Sequence, residues 1–155
     1  MPNTVFRGPV DRQPHTVTDR AVSGALLPCT GVFIGANLSQ ATSATGGRLA
    51  LLGIRDYYVP LASSFYDDTD PLKVAYASGD GGVAYILEPG FIFQWAMAAG
   101  TYTRGQELTV GTAGRLRAAT AGQIVVAHFD AAGALPVTML DGVLADVSIA
   151  NFYTK

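Results

Sequence analysis

Glycine and proline punctuate this chain so densely that helices of ordinary length have little room to form. The 155 residues include 18 glycines and 8 prolines, and the segments between them are mostly short and apolar. Both residue types break helices and mark turns, whereas a strand needs only a handful of residues. The spacing therefore predicts an all-β fold, a small β-barrel or β-sandwich. No amphipathic helical pattern runs longer than a turn or two, and no solenoid-type repeat is present.

From Ala21 onward the pattern alternates between strand and turn. Gly31 to Leu38 is β-rich, Ser39 to Gly47 is a polar turn, and Arg48 to Ile54 and Tyr57 to Ala62 are apolar. Pro60 places the second of these at an edge or bulge, because proline cannot donate to a ladder. Ser64 to Pro71 reads as a loop, Val74 to Ala77 as a short strand, and Ser78 to Gly82 as a turn. Glu88-Pro89-Gly90 predicts a tight turn, with proline presetting its second position and glycine supplying positive φ. After it, Phe91, Phe93, Trp95 and Met97 share one face by the period-2 rule, and Ile92, Gln94 and Ala96 share the other. A strand this apolar on both faces is either central in a sandwich or covered by another chain. Phe91, Phe93, Trp95 and Met97 are accordingly the expected oligomer interface.

The C-terminal third alternates most cleanly. Leu108 and Val110 share a face, Gly111 to Gly114 is a hairpin turn, and Leu116 and Ala118 point inward while Arg115 and Arg117 point to solvent. Gln123 to Phe129 is another strand, Asp130 to Gly133 a turn, and Val143 to Ile149 the last strand.

Met1 to Arg20 differs from the rest. It carries Pro2, Pro9 and Pro14 with several charged residues, and each proline biases its predecessor toward extended geometry. We read an extended N-terminal arm over 1–20, either a tail or a strap over a neighbouring subunit, followed by a β-barrel or sandwich over 21–155. Val5, Phe6, Arg7, Val10 and Arg12 are its expected contact residues.

Composition narrows the function. Charged residues make up 14% of the chain, against about 25% in an ordinary globular domain, so part of the surface is expected to be covered by a partner. The net charge is −2 and the basic residues are scattered, a balance that argues against a nucleic-acid partner. No apolar run approaches the ~20 residues of a membrane-crossing helix. The N-terminal segment has no apolar signal-peptide core, so synthesis in the cytoplasm is expected.

Catalytic motifs are scarce. There is no Gly-x-Ser-x-Gly elbow. His15 lies in the arm, His128 lies in a strand, and nothing in the sequence brings a serine or Cys29 to His128. Cys29 is the only cysteine and is expected to be a small buried side chain. Asp67, Asp68 and Asp70 offer oxygen ligands of the kind calcium takes, but the EF-hand glycine and closing glutamate are missing, and a solvated turn is the plainer reading. Gly79-Asp80-Gly81-Gly82 is followed by Val83 and Ala84, where a phosphate loop needs Lys and Ser or Thr. Trp95 suits a core, a subunit interface or a sugar platform. No enzyme activity, cofactor or metal is expected.

Gly100 to Ala132, GTYTRGQELTVGTAGRLRAATAGQIVVAHFDAA, resembles the bacteriophage head-decoration (capsid cement) proteins. The shared pieces are the Gly105-Gln106-Glu107 strand entry, the Gly111 to Gly114 turn, the strand Leu116 to Thr120 and the strand Ile124 to Ala132. The resemblance covers about a fifth of the chain. The first half is longer and more aromatic than in the smallest members. The resemblance implies a structural virion protein, made in the host cytoplasm and added to the outer capsid surface. It implies two partners: the major capsid protein, whose neighbouring subunits it bridges, and further copies of itself, as a trimer in preference to a dimer. The alternative is a receptor- or carbohydrate-binding β module of a phage tail or spike.

Overall fold

The computed structural model describes residues 5–55, 71–133 and 135–155. The protein is all-β, with strands β1 (Phe6–Gly8), β2 (Thr16–Ala21), β3 (Gly31–Ile34), β4 (Leu38–Gln40), β5 (Arg48–Leu52), β6 (Gly81–Ile86), β7 (Ile92–Ala96), β8 (Gly100–Tyr102), β9 (Glu107–Val110), β10 (Leu116–Ala118), β11 (Ile124–Phe129), β12 (Val137–Met139) and β13 (Leu144–Thr154). They form a six-stranded sheet in the order β1-β7-β13-β11-β9-β10, a five-stranded sheet in the order β2-β6-β5-β3-β4, and the pair β12-β8. All named ladders are antiparallel. The architecture is the expected small barrel or sandwich.

Most core side chains come from the inner face of the six-stranded sheet. Phe93, Trp95, Leu108, Val126, Phe129 and Val147 are buried there together with Leu51 and Cys29 from the other side. A smaller cluster, Val22, Leu26, Val32, Leu38, Ala50, Leu52, Tyr76 and Ala84, fills the five-stranded sheet. Gly82 belongs to this cluster by being small. A Cβ there would lie 2.6 Å from the Leu38 side chain and 2.7 Å from that of Val22. Sequence reading placed Gly82 in a turn, yet it is inside β6, and close packing is what requires glycine.

Two side-chain hydrogen bonds hold backbone within the sheets, one in each. The Trp95 indole donates to the Gly114 carbonyl at 2.7 Å, and the Gln40 side-chain amide donates to the Gly31 carbonyl at 2.7 Å. Gly114 has φ +66, and a Cβ on it would meet the Gly31 backbone at 2.4 Å. Cys29, buried as expected, has φ 59. Its N–H donates to Leu52 at 2.9 Å and its carbonyl accepts from Ala96 at 2.8 Å, so one residue bridges both sheets.

The turn at Glu88-Pro89-Gly90 and the β9–β10 hairpin form as predicted, with Gly90 at φ 85 and Leu116 opposite Val110. Three readings are corrected. Val74 to Ala77 is not a strand. Tyr76 instead turns its ring inward and donates its hydroxyl to the Gly53 and Ile54 carbonyls. β8 and β12 pair where no strand was expected. Most importantly, the N-terminal segment is extended but is not a separate arm. β1 pairs with β7 at the edge of one sheet, and β2 pairs with β6 at the edge of the other. Tyr57 to Ala62 and nearly all of the Ser64 to Pro71 loop lie outside the described residues.

Candidate functional site

The predicted oligomer interface is core. Phe91 is 2% exposed, and Phe93, Trp95 and Met97 are 0% exposed within the chain itself. β7 lies between β1 and β13, so this chain's own residues cover the strand that sequence reading gave to a sister chain. The arm residues separate into three groups. Val5 is buried and Phe6 packs on Phe91 and Phe93, with ring centroids 5.6 and 5.5 Å apart. Arg7 pairs with Asp146 at 3.2 Å, and Arg12 lies 5.5 Å from the centre of the Phe91 ring. Only Val10, at 93% exposure, projects freely into solvent.

Seven ion pairs lie among the described residues, all with partly or largely exposed side chains. The longest chain of contacts crosses β11, β13 and β9. His128 Nε2 lies 3.2 Å from the Tyr153 hydroxyl, which donates to Glu107 Oε1 at 2.7 Å, while Lys155 Nζ holds Glu107 Oε2 at 2.8 Å. Hydrogen bonds from Lys155 and Tyr153 hold the Glu107 carboxyl below its usual range, and the bond to Glu107 raises the Tyr153 phenol. Both shifts keep the Glu107 carboxylate ionised and the Tyr153 phenol protonated at neutral pH. His15 pairs with Glu88 elsewhere. Among the described residues no three His, Cys, Asp or Glu side chains gather as a metal site. Asp67, Asp68 and Asp70 lie outside the described residues. Trp95, read as a possible sugar platform, is 0% exposed.

A groove of about 510 Å³ opens where the β12–β13 turn meets the Leu27–Thr30 segment and the end of β7. Its apolar walls are Leu27, Pro28, Leu72, Ala96, Val143 and Leu144. Leu27 and Val143 in its wall are each 42% exposed, and Leu140, next in the chain to the lining residue Asp141, is 74% exposed. The Arg115–Asp141 ion pair and Lys73 supply charge around it. Inside, the side-chain oxygen of Gln94 is buried with no hydrogen-bond partner among the described residues. Such an acceptor costs about 1–3 kcal/mol until a donor reaches it. The groove thus leaves apolar side chains facing water.

Sequence reading missed this groove because its residues are far apart in the chain. The one local clue is Leu140-Asp141-Gly142-Val143, a turn dipeptide flanked by two large apolar residues that no hairpin geometry buries. No family model matches the chain, and no curated protein matches it.

Proposed function

We propose that this chain is a bacteriophage head-decoration protein that sits on the outer surface of the virion and bridges neighbouring major capsid subunits, together with further copies of itself. The observation that carries the reading is the groove, where Leu27 and Val143 leave an apolar rim exposed to solvent. A capsid subunit that inserts an apolar side chain there would cover it. The residues that resemble the decoration proteins fold into consecutive strands β8 to β11, which favours the same reading. Because Val5 and Phe6 belong to the core, the proposed capsid contact moves from the N-terminal segment to this groove.

The physical role follows from linkage. A protein that binds the assembled lattice and not separated subunits adds its binding free energy to the assembled state, and many weak contacts on one lattice add by avidity. Heads lacking this protein are expected to release DNA at a lower temperature than decorated heads, and equal survival would overturn the proposal. The double variant Leu140→Asp, Val143→Asp changes only exposed side chains. It is expected to keep its fold and lose occupancy on heads.

A further inference from the structure

Thr30 and Thr109 are buried polar residues, each 3% exposed. The Thr30 hydroxyl donates to the Leu27 carbonyl at 2.7 Å and accepts from the Gln40 amide at 3.3 Å. The Thr109 hydroxyl has no hydrogen-bond partner among the described residues. Leu108 and Val110 turn into the core, so by alternation Thr109 lies on the outer face of β9. There it lines a pocket of about 210 Å³. Gln94 Oε1 is the one side-chain polar atom among the described residues that is both sealed from solvent and unpartnered, so the Thr109 hydroxyl opens onto this pocket.

Three segments build the pocket's walls. The β4–β5 loop brings Thr42 and Thr45, the β9–β10 hairpin brings Thr109 and Arg117, and the turn before β11 brings Gln123. Arg117 stands opposite Thr109 in the β9–β10 ladder, and cross-strand partners share a face. Arg7, Arg55, Arg104 and Arg115 each pair with a carboxylate, whereas Arg117 has no carboxylate partner among the described residues. Its side chain lies across Gly111, where a Cβ would meet Arg117 Cδ at 2.9 Å and Nε at 3.0 Å. Glycine at that position leaves the room the arginine occupies. Gln123 Oε1 accepts from the Thr120 N–H at 3.0 Å, which leaves the Gln123 amide nitrogen as a donor. The described lining holds no Asp or Glu.

The pocket thus gathers side-chain donors around one uncompensated positive charge. A guanidinium donates and cannot accept, so it calls for an acceptor, and its charge calls for an anion. Its planar fork suits the oxygens of carboxylate and phosphate groups. Here further donors reach in from three separate segments, which suits the several oxygens of a tetrahedral group better than the two of a carboxylate. The volume is below the ~300–1,000 Å³ of sites for drug-sized ligands, so a single such group fills much of it. We propose that this pocket binds a tetrahedral oxyanion, a phosphate or sulfate group, with Arg117 as its charge partner and Thr109 as its buried donor. It shares no lining residue with the groove, and the proposal does not rest on a role at a virus head.

The test is an NMR titration of the full chain with inorganic phosphate, inorganic sulfate, methyl phosphate and acetate, at constant ionic strength balanced with chloride. Phosphate and sulfate are expected to shift the Thr109, Arg117 and Gln123 amide signals along saturating curves, and acetate to bind more weakly. Arg117→Gln is expected to weaken phosphate binding by about tenfold or more, the loss of a charge-assisted contact. Thr109→Val keeps the side chain's shape and removes a buried hydroxyl without a partner, so it is expected to melt no lower than the parent yet bind phosphate less tightly. Arg104→Gln, outside the lining, is the control that leaves binding unchanged. Methyl phosphate separates the sources: binding as tight as that of inorganic phosphate marks a group carried on a larger molecule, and much weaker binding marks the free anion. Shifts that never saturate, acetate that binds as tightly as phosphate, or an affinity that either Arg117→Gln or Thr109→Val leaves unchanged would overturn the proposal. Head binding is read separately, on decorated capsids.

Discussion

The two ends of the chain reverse what their composition suggests. The N-terminal segment is polar and proline-bearing, yet it is stitched into both sheets: Val5 accepts from Gln94 at 2.7 Å, and His15 accepts from Ile86 at 2.8 Å. The C-terminal strand is strongly β-forming and begins at the centre of the larger sheet, yet it ends as a ribbon with all of Asn151 to Lys155 exposed. Where an element's backbone bonds go decides whether it is structural or available, and hydrophobicity alone does not.

The strongest way to break this comparison is to delete residues 1–20. That removes the edge strand of each sheet, and we expect a loss on the order of 5 kcal/mol, comparable to the whole stability of a small domain. Urea unfolding of the truncated chain measures it, and a cooperative transition near the parent midpoint would return the segment to the status of a free arm. Phe6→Ala is a gentler form of the same test, with an expected cost of about 2–3 kcal/mol for a partly buried ring. Gly82→Ala, beside the Val22 anchor that follows β2, is expected to cost about 1–3 kcal/mol through overpacking against Leu38 and Val22.

At the other end the effects on the single chain are small. Phe152→Ser is expected to stay within about 0.5 kcal/mol of the parent in the same urea assay, because its side chain covers little of the core. The smallest effect is at Glu107. Its folded carboxyl titrates below the usual range because Lys155 and Tyr153 hydrogen-bond to it, so any stability it contributes is present above the unfolded carboxyl's range and is lost as pH falls through the folded value. A carbon-detected NMR titration is expected to show the depressed midpoint, and Tyr153→Phe is expected to raise it.

Legibility in the sequence followed locality. The β9–β10 hairpin was readable because its alternation, its Gly111 to Gly114 turn and its pairing lie within a dozen residues. The apolar face of Phe91, Phe93, Trp95 and Met97 was read correctly as a face, but its cover was not, since core and interface use the same aromatics. β1 and β2 were missed because their partners, β7 and β6, lie sixty or more residues away. The groove escaped for the same reason: Leu27, Gln94 and Val143 converge only after the sheets close.

What the sequence determined by itself is the repertoire: turn residues at short intervals exclude long helices, and period-2 alternation assigns each strand an inner face. Tertiary structure alone decided which strands neighbour which, which apolar residues the chain covers for itself, and which it leaves exposed at the groove rim and the end of β13. The physical reason is that dihedral preferences and side-chain alternation act between nearby residues, whereas burial and ladder pairing depend on residues that meet only when distant segments fold together.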